Sequence, residues 1–432
     1  MKGLVLVYAM LALGTLGAIW KPRYGLFVYI AFATLRPQFL WGFAGGMEGL
    51  SLWVGVAMIA AWAMHGAGSW QFGRGKLAVV ALVFYTVWSI LSAMQADYPD
   101  VSWAFVVNLL KIVLPFLVGV TLLKGEDDAR IVLWIIVACQ GWVSYEMNTS
   151  YFNGYNRAAE QGFGGMDNNC FGISLVTTLG PAMALTLSEK RWVLKGIAGV
   201  ATALILHTTM LTFSRGAMLG IVAVFVTAGI VMPKSPKYLA GVFLAMLLAI
   251  RLTGPELLSR YESAFAGAED RDASAESRLD LWADCLAVAF TRPIFGIGPD
   301  NWPKIAANYG YTQGKSAHSA WMQSVAEVGF AGVLALLLFF CSAAARLWPI
   351  ARGKLDTGGP ATRLLATGII TSIVGFVVSA QFVTLQGLEI PYYVAIGSVA
   401  LLKDERLRVP KAPSTEPVLP PRGFRHLRPA IR

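Results

Sequence analysis

Long apolar runs separated by short polar connections dominate the chain. They fall at about 3 to 19, 24 to 40, 51 to 66, 77 to 95, 104 to 123, 129 to 147, 170 to 187, 193 to 211, 214 to 232, 237 to 252, 317 to 345, 362 to 383 and 388 to 402. Each is long enough, or nearly so, to cross a bilayer as a helix, and only helices and closed barrels satisfy their backbone in lipid. Runs this continuous are not the alternating strands of a barrel. The pattern therefore predicts an all-α polytopic membrane protein over residues 1–402. The run at 24 to 40 is interrupted by Arg36-Pro37 and reads as re-entrant. That leaves about twelve transmembrane helices, or one more with the N-terminus outside if every run is counted.

The long polar interval at 253–316 is an inserted loop region. Within it Leu279, Trp282, Leu286, Ala289 and Phe290 recur at helical spacing, which predicts an amphipathic helix over 276–290 on the membrane or the bundle. The tail at 403–432 interleaves prolines with Arg406, Arg408, Lys411, Arg422, Arg425, Arg428 and Arg432. It reads as a disordered basic segment suited to an anionic cytoplasmic leaflet.

Composition agrees with this organisation. Of 432 residues, 56% are hydrophobic and 14% charged, against about 25% charged in ordinary soluble domains. A soluble enzyme is excluded. The first run is followed by Lys21-Pro22-Arg23 rather than a small-residue cleavage site, so it reads as a retained span. Cys139, Cys170, Cys285 and Cys341 are scattered without metal-binding spacing and read as unpaired buried thiols, although Cys170 and Cys285 can share the outer side.

Charge gives the runs a direction. Alternate connections carry Lys21 and Arg23, Arg74 and Lys76, Lys124 and Arg130, Lys190 to Lys195, Lys234 and Lys237, and Arg346 to Arg363. The positive-inside rule places these in the cytoplasm. Against that bias, Arg157, Arg215, Arg251, Arg260, Arg271, Arg278, Arg292, Lys304 and Lys315 fall on the outer side. Arg215 follows the tight turn Thr212-Phe213-Ser214 at the start of a helix, where a cation opposes the helix dipole and a bound anion would reverse that cost. An arginine snorkelling to lipid headgroups would occupy the same place.

His318 stands at the junction between the 253–316 loop and the run that follows. Ser316 is a candidate N-cap, and a histidine in the first helical turn would have a lowered pKa. A neutral imidazole there can act as a general base. A hydrogen-bonded interfacial histidine is the alternative.

Gly296-Ile297-Gly298-Pro299-Asp300-Asn301 is a turn whose glycines allow the backbone to approach a ligand, without the Lys-Ser/Thr of a phosphate loop. The loop at 149–169, with Arg157, Glu160, Gly162, Gly164, Gly165, Asp167, Asn168 and Asn169, suits sugar hydroxyls or a diphosphate and equally suits a plain connection. Asp270-Arg271-Asp272 has D-x-D spacing but lies among solvated neighbours, and no second histidine stands nearby to build a metal site. Lys111, inside a long apolar run, is expected to face the bundle or a polar cavity, because charge in lipid is expensive.

Taken in order, Ser214-Arg215-Gly216, Glu276-Ser277-Arg278-Leu279-Asp280-Leu281-Trp282, Gly296-Ile297-Gly298-Pro299-Asp300-Asn301, and Ala317-His318-Ser319 with Glu327-Val328-Gly329 resemble the signature of the O-antigen ligase/polymerase superfamily. Gly164-Gly165-Met166-Asp167-Asn168-Asn169 is similar to its earlier glycine and asparagine loop. The N-terminal Arg36-Pro37-Gln38-Phe39-Leu40-Trp41-Gly42-Phe43-Ala44 resembles the exosortase-associated O-glycosylation ligase subgroup. The resemblance implies a membrane glycosyltransferase of the GT-C kind in the bacterial inner membrane. It implies an active site facing the periplasm, an undecaprenyl diphosphate-linked glycan donor, inversion at the anomeric carbon, and neither metal nor other cofactor.

On that reading the leaving group is already a stable anion, so positive charge suffices to stabilise it. Arginine forks suit a diphosphate. Arg215 and Arg278 are then expected to hold the diphosphate and His318 to deprotonate the acceptor hydroxyl. Arg157, Asn168, Asn169 and Asn301 are expected to bind substrate. The expected acceptor is lipid A-core in lipopolysaccharide assembly, with membrane lipids around the protein and no nucleic-acid partner. A polymerase or a protein O-glycosylation ligase is the alternative within the class. A glycolipid transporter is the alternative outside it; against it, the spans contain few ionisable residues and no evident pair of interrupted helices in repeated halves.

Overall fold

In the computed structural model, residues 2–41, 49–232, 240–241, 273–355, 359–384 and 387–403 are described. Arg251, Arg260, the Asp270-Arg271-Asp272 triplet, most of the run at 237 to 252 and the tail beyond Lys403 lie outside them. The described residues are helical apart from turns, with an isolated bridge between Phe163 and Met166.

The chain enters through α1 (Lys2–Trp20), α2 (Pro22–Leu35) and α3 (Leu50–Met64), which pack on one another. Next come α4 (Lys76–Ala93), α5 (Pro99–Leu122) and α6 (Gly125–Phe152). A central group follows: α7 (Asn168–Ser188), α8 (Trp192–Leu211) and α9 (Arg215–Val231). The described chain resumes at α10 (Ala273–Thr291) and ends with α11 (Ala320–Ala345), α12 (Pro360–Ser379) and α13 (Glu389–Leu402). Among the described residues, seven helices are long and apolar enough to cross a bilayer, and three shorter apolar ones accompany them. The protein is an all-α polytopic membrane protein, as the apolar runs predict.

Among the long candidate spans of the described residues, α7 and α12 are the most enclosed. They approach closely because small residues face each other: a side chain added at Gly180 would meet the Gly368 carbonyl oxygen at 2.5 Å. In lipid, where the surroundings are as apolar as the helices, such contact drives packing. The Arg36-Pro37 break is real. Arg36 has φ 45°, its guanidinium donates to the Gly164 carbonyl, and it pairs with Glu389 at 2.7 Å. The ion pair ties the end of α2 to the start of α13.

The inserted helix, α10, spans Ala273–Thr291 and leans on α11. Its buried face is not the predicted one. Leu281, Cys285, Val288 and Ala289 are buried, whereas Leu279 and Phe290 are exposed. Periodicity located the helix correctly, but its rotation was set by a small separate core of Ile297, Trp302, Ala317 and Ala326 that receives Leu281 and Cys285. The four cysteines are free thiols.

The glycine turn at 296–301 also has an unexpected partner. α11 is broken at Gly329 (φ 69°, ψ −179°), and the turn docks into the break. Ile297 and Gly298 donate their N–H groups to the carbonyls of Ala326 and Glu327 (3.0 and 2.9 Å), and Phe330 donates to the Pro293 carbonyl (3.0 Å). The close approach that glycine permits is therefore to another part of the backbone. At Gly296 (φ 68°) an added Cβ would lie 2.4 Å from the Glu327 carbonyl group. Gly296→Ala is expected to lower the thermal unfolding midpoint in detergent, with at least about 1–3 kcal/mol from the left-handed backbone alone. An unchanged midpoint would show that the turn does not hold the broken helix.

Candidate active site

The site forms where the turn before α9, the N-terminal part of α10 and the loop before α11 meet. Thr212-Phe213 makes the turn, with Phe213 at φ 51°, and Ser214 caps α9 by accepting from the Ala217 N–H. Arg215 is thus the first helical residue and is exposed. Gly216 packs on Phe382, and a Cβ there would stand 3.1 Å from the Phe382 Cβ. The Phe382 ring lies 6.4 Å from that of Trp282. Trp282 donates its indole N–H to the Ala317 carbonyl at 3.0 Å. Arg278 lies one turn before Trp282 on α10, half-buried. Through Phe382 and Trp282 the start of α9, the arginine face of α10 and the residue next to His318 are brought together.

His318 does not occupy the first turn of α11, as the capping argument at Ser316 expected. Ser319 is the N-cap, accepting from the Met322 N–H at 3.2 Å. His318 precedes the cap at φ 49°, a conformation costly for a side chain with a Cβ and common at functional sites. Its imidazole pKa is lowered all the same. Burial is the leading cause, followed by the positive charges of Lys315 and Arg278, while Asp167 opposes them. That direction favours the uncharged ring.

This direction sets the pH dependence. Activity that needs the neutral ring is expected to fall on acidification with a midpoint below the ordinary imidazole value of about 6.5. Lys315→Gln removes one of the depressing charges and is expected to move that midpoint upward. A pH–rate profile of purified protein checks both, and a midpoint unmoved by Lys315→Gln would remove the electrostatic explanation.

The backbone around His318 is held by side chains to which the sequence reading attached no role. Gln323 accepts from the Ala317 N–H at 3.0 Å and from the Thr384 hydroxyl at 2.9 Å. Its amide donates to Glu327 at 2.8 Å, and Glu327 also accepts from the Trp302 N–H at 3.2 Å. Gln323 and Glu327 are both buried. Their signal was present in the sequence as a polar pair four residues apart inside an apolar run.

The other expected substrate ligands are distributed unevenly. Asp167 caps α7 by accepting from the Cys170 N–H and lies within electrostatic range of His318. Asn168 donates to the Thr212 carbonyl at 3.0 Å, joining the glycine and asparagine loop to the Arg215 turn, and Asn169 donates to Asn168. Arg157 is farther along the same loop and donates to the Phe39 carbonyl at 3.2 Å. Asn301 is fully buried. Its amide donates to the Ile297 carbonyl at 2.7 Å, and Ser102 approaches its other atom at 3.4 Å, so it closes the glycine turn from inside.

Fold and site together describe a polytopic helical membrane protein with a strained, neutral histidine flanked by cations at one end of its bundle. Residues 200–337 match the family model described as O-antigen ligase, a stretch that holds Arg215, Arg278, the glycine turn and His318. Over that stretch the chain is similar to the O-antigen ligase/polymerase superfamily. No curated protein matches it.

Proposed function

We propose that the protein is an O-antigen ligase, an inverting GT-C-type glycosyltransferase that moves a glycan from undecaprenyl diphosphate to an acceptor hydroxyl, lipid A-core being the favoured acceptor. What supports this reading is that Arg278 acts electrostatically on His318, while Gly216, next to Arg215, packs on Phe382, whose ring lies beside Trp282 and its hydrogen bond to Ala317.

His318 takes the proton of the acceptor hydroxyl as its oxygen attacks the anomeric carbon. The bond from that carbon to the diphosphate oxygen breaks, and the electron pair leaves with the diphosphate. Arg215 and Arg278 neutralise the departing charge, which is the task for which positioned guanidinium groups are effective. No acid is needed on the leaving group, and no metal enters this scheme. The donor's prenyl chain stays in the bilayer, so the reaction takes place at the boundary between lipid and periplasm, in the bacterial inner membrane. Asn168 and Asn169 stand beside the Arg215 turn and serve as hydroxyl or phosphate contacts. Arg157 supports the same loop.

Elongation of a glycan or glycosylation of a protein would use the same bond changes with a different acceptor. The test is transfer by purified protein in detergent, with an undecaprenyl diphosphate glycan and lipid A-core, a second copy of the lipid-linked glycan, or a protein acceptor, each with and without EDTA. Glycan transfer to lipid A-core that survives EDTA is the expected result. Movement of glycolipid between two compartments without transfer to any acceptor would overturn the enzyme reading.

A further inference from the structure

Between α2, α3 and α5 runs a groove of about 360 Å³ whose polar lining is unusual for membrane depth: Arg36, Asn108, Lys111 and Glu389, with Tyr29 at its wall. Lys111 lies eight residues beyond Trp103 on α5, about 12 Å along the helix, in the middle of an apolar span. Its ammonium donates to the Asn108 side chain at 3.0 Å, one turn nearer the Trp103 end. Arg36 is neutralised by Glu389 at 2.7 Å. Among the described residues no carboxylate lies within ion-pair distance of Lys111, so the groove carries an excess positive charge. A charge kept at that depth marks a ligand path more often than a structural contact.

The groove leads toward the reacting histidine. It meets a second cavity of about 300 Å³ at Arg36, Asn108, Ile112 and Gly387, and that cavity is lined by Met166, Asp300, Gln323 and Thr384. Met166 adjoins Asp167, which acts electrostatically on His318, and Gln323 holds the Ala317 backbone next to His318. The second cavity thus ends at Met166 and Gln323, neighbours of Asp167 and Ala317 on one side of His318. The Arg215 turn is linked to the His318 segment by other residues, through Gly216, Phe382 and Trp282.

Resting on the transferase reading above, we infer that this groove admits the acceptor, a phosphate-bearing lipid-anchored glycan, and that Lys111 binds its phosphate. Inversion requires the acceptor oxygen to arrive opposite the leaving group, and two separate approaches to one base satisfy that requirement. A lipid-anchored acceptor cannot leave the bilayer, so an entrance between helices suits it better than one open only to water.

The test uses full-length protein in detergent, as wild type, Lys111→Gln and Lys111→Arg, with lipid A and its dephosphorylated form as probes. Losing one charge-assisted contact is expected to weaken lipid A binding by about tenfold in Lys111→Gln, read by native mass spectrometry without donor. Lys111→Arg should retain most of it. Wild type should bind dephosphorylated lipid A about tenfold more weakly than lipid A, and Lys111→Gln should not distinguish the two. In transfer assays Lys111→Gln should raise the acceptor KM by the same factor and leave the donor KM unchanged.

Equal lipid A binding by wild type and Lys111→Gln would overturn the assignment, as would a change in donor KM alone. Those outcomes leave the transferase reading intact if wild type still transfers glycan. Lipid A binding that depends on Lys111 in a protein with no transfer to any acceptor would sink the transferase reading, and the acceptor assignment with it.

Discussion

Replacement of His318 by alanine is expected to reduce glycan transfer by ~10² to 10⁴, the usual contribution of a positioned general base, while the thermal unfolding midpoint changes little. The imidazole is half-buried, and Ser319 rather than His318 caps α11, so its removal strips no cap from the helix. Alanine also carries the cost of φ 49° at this position, which the native histidine already bears. His318→Gly relieves that strain and should be as inactive as His318→Ala, which separates loss of the base from a backbone effect. Wild-type rates for purified His318→Ala would exclude the histidine as base, and loss of rate with unfolding at ambient temperature would leave only a structural part for it.

The arginines come next in expected effect. Each charge-assisted contact to a phosphate oxygen contributes on the order of 1.5–3 kcal/mol, so Arg215→Ala and Arg278→Ala are each expected to lower kcat/KM for the lipid diphosphate donor by about ten- to a hundredfold or more. Both kcat and donor affinity should fall, because negative charge is present in the bound donor and grows as the bond breaks. Arg→Lys at either position keeps the charge and loses the fork, and should recover part of the activity. Arg278→Ala has a further consequence for His318: one of the cations that lowers the imidazole pKa is removed, so the acid limb of the pH profile should shift upward. No such shift is expected for Arg215→Ala. Donor steady-state kinetics and pH profiles of both variants check this, and normal donor kinetics in both would exclude a diphosphate-binding role.

Much of this molecule follows from local sequence. The apolar runs placed the helices, because a chain in lipid must satisfy its backbone internally and helices do so within a short stretch. Ser214 before Arg215 marked a capped helix start. The Arg36-Pro37 break was visible because proline disfavours helical geometry in the residue before it. The position of His318 between a polar loop and an apolar run was also legible, since hydropathy changes abruptly there.

What local sequence could not supply was decided by segments that meet across long separations. Arg36 pairs with Glu389, 353 positions away, and nothing near either residue announces the other. The rotation of α10 was chosen by Ile297, Trp302 and Ala317, not by its own periodicity. The glycines of the 296–301 turn read as a ligand loop until the break at Gly329 supplied their partner. The lowered pKa of His318 was anticipated from a helix dipole and arises instead from burial and from Lys315 and Arg278. Helical periodicity and capping act over a few residues and leave their trace in consecutive positions, so the sequence by itself determined which segments are helices and roughly where they end, as at Ser214, though not that Ser319 rather than Ser316 caps α11. Close packing, ion pairing and desolvation depend on which segments are adjacent in space, and only the tertiary structure decided that Arg278 and Asp167 act on His318 and that Asn168 joins the turn before Arg215.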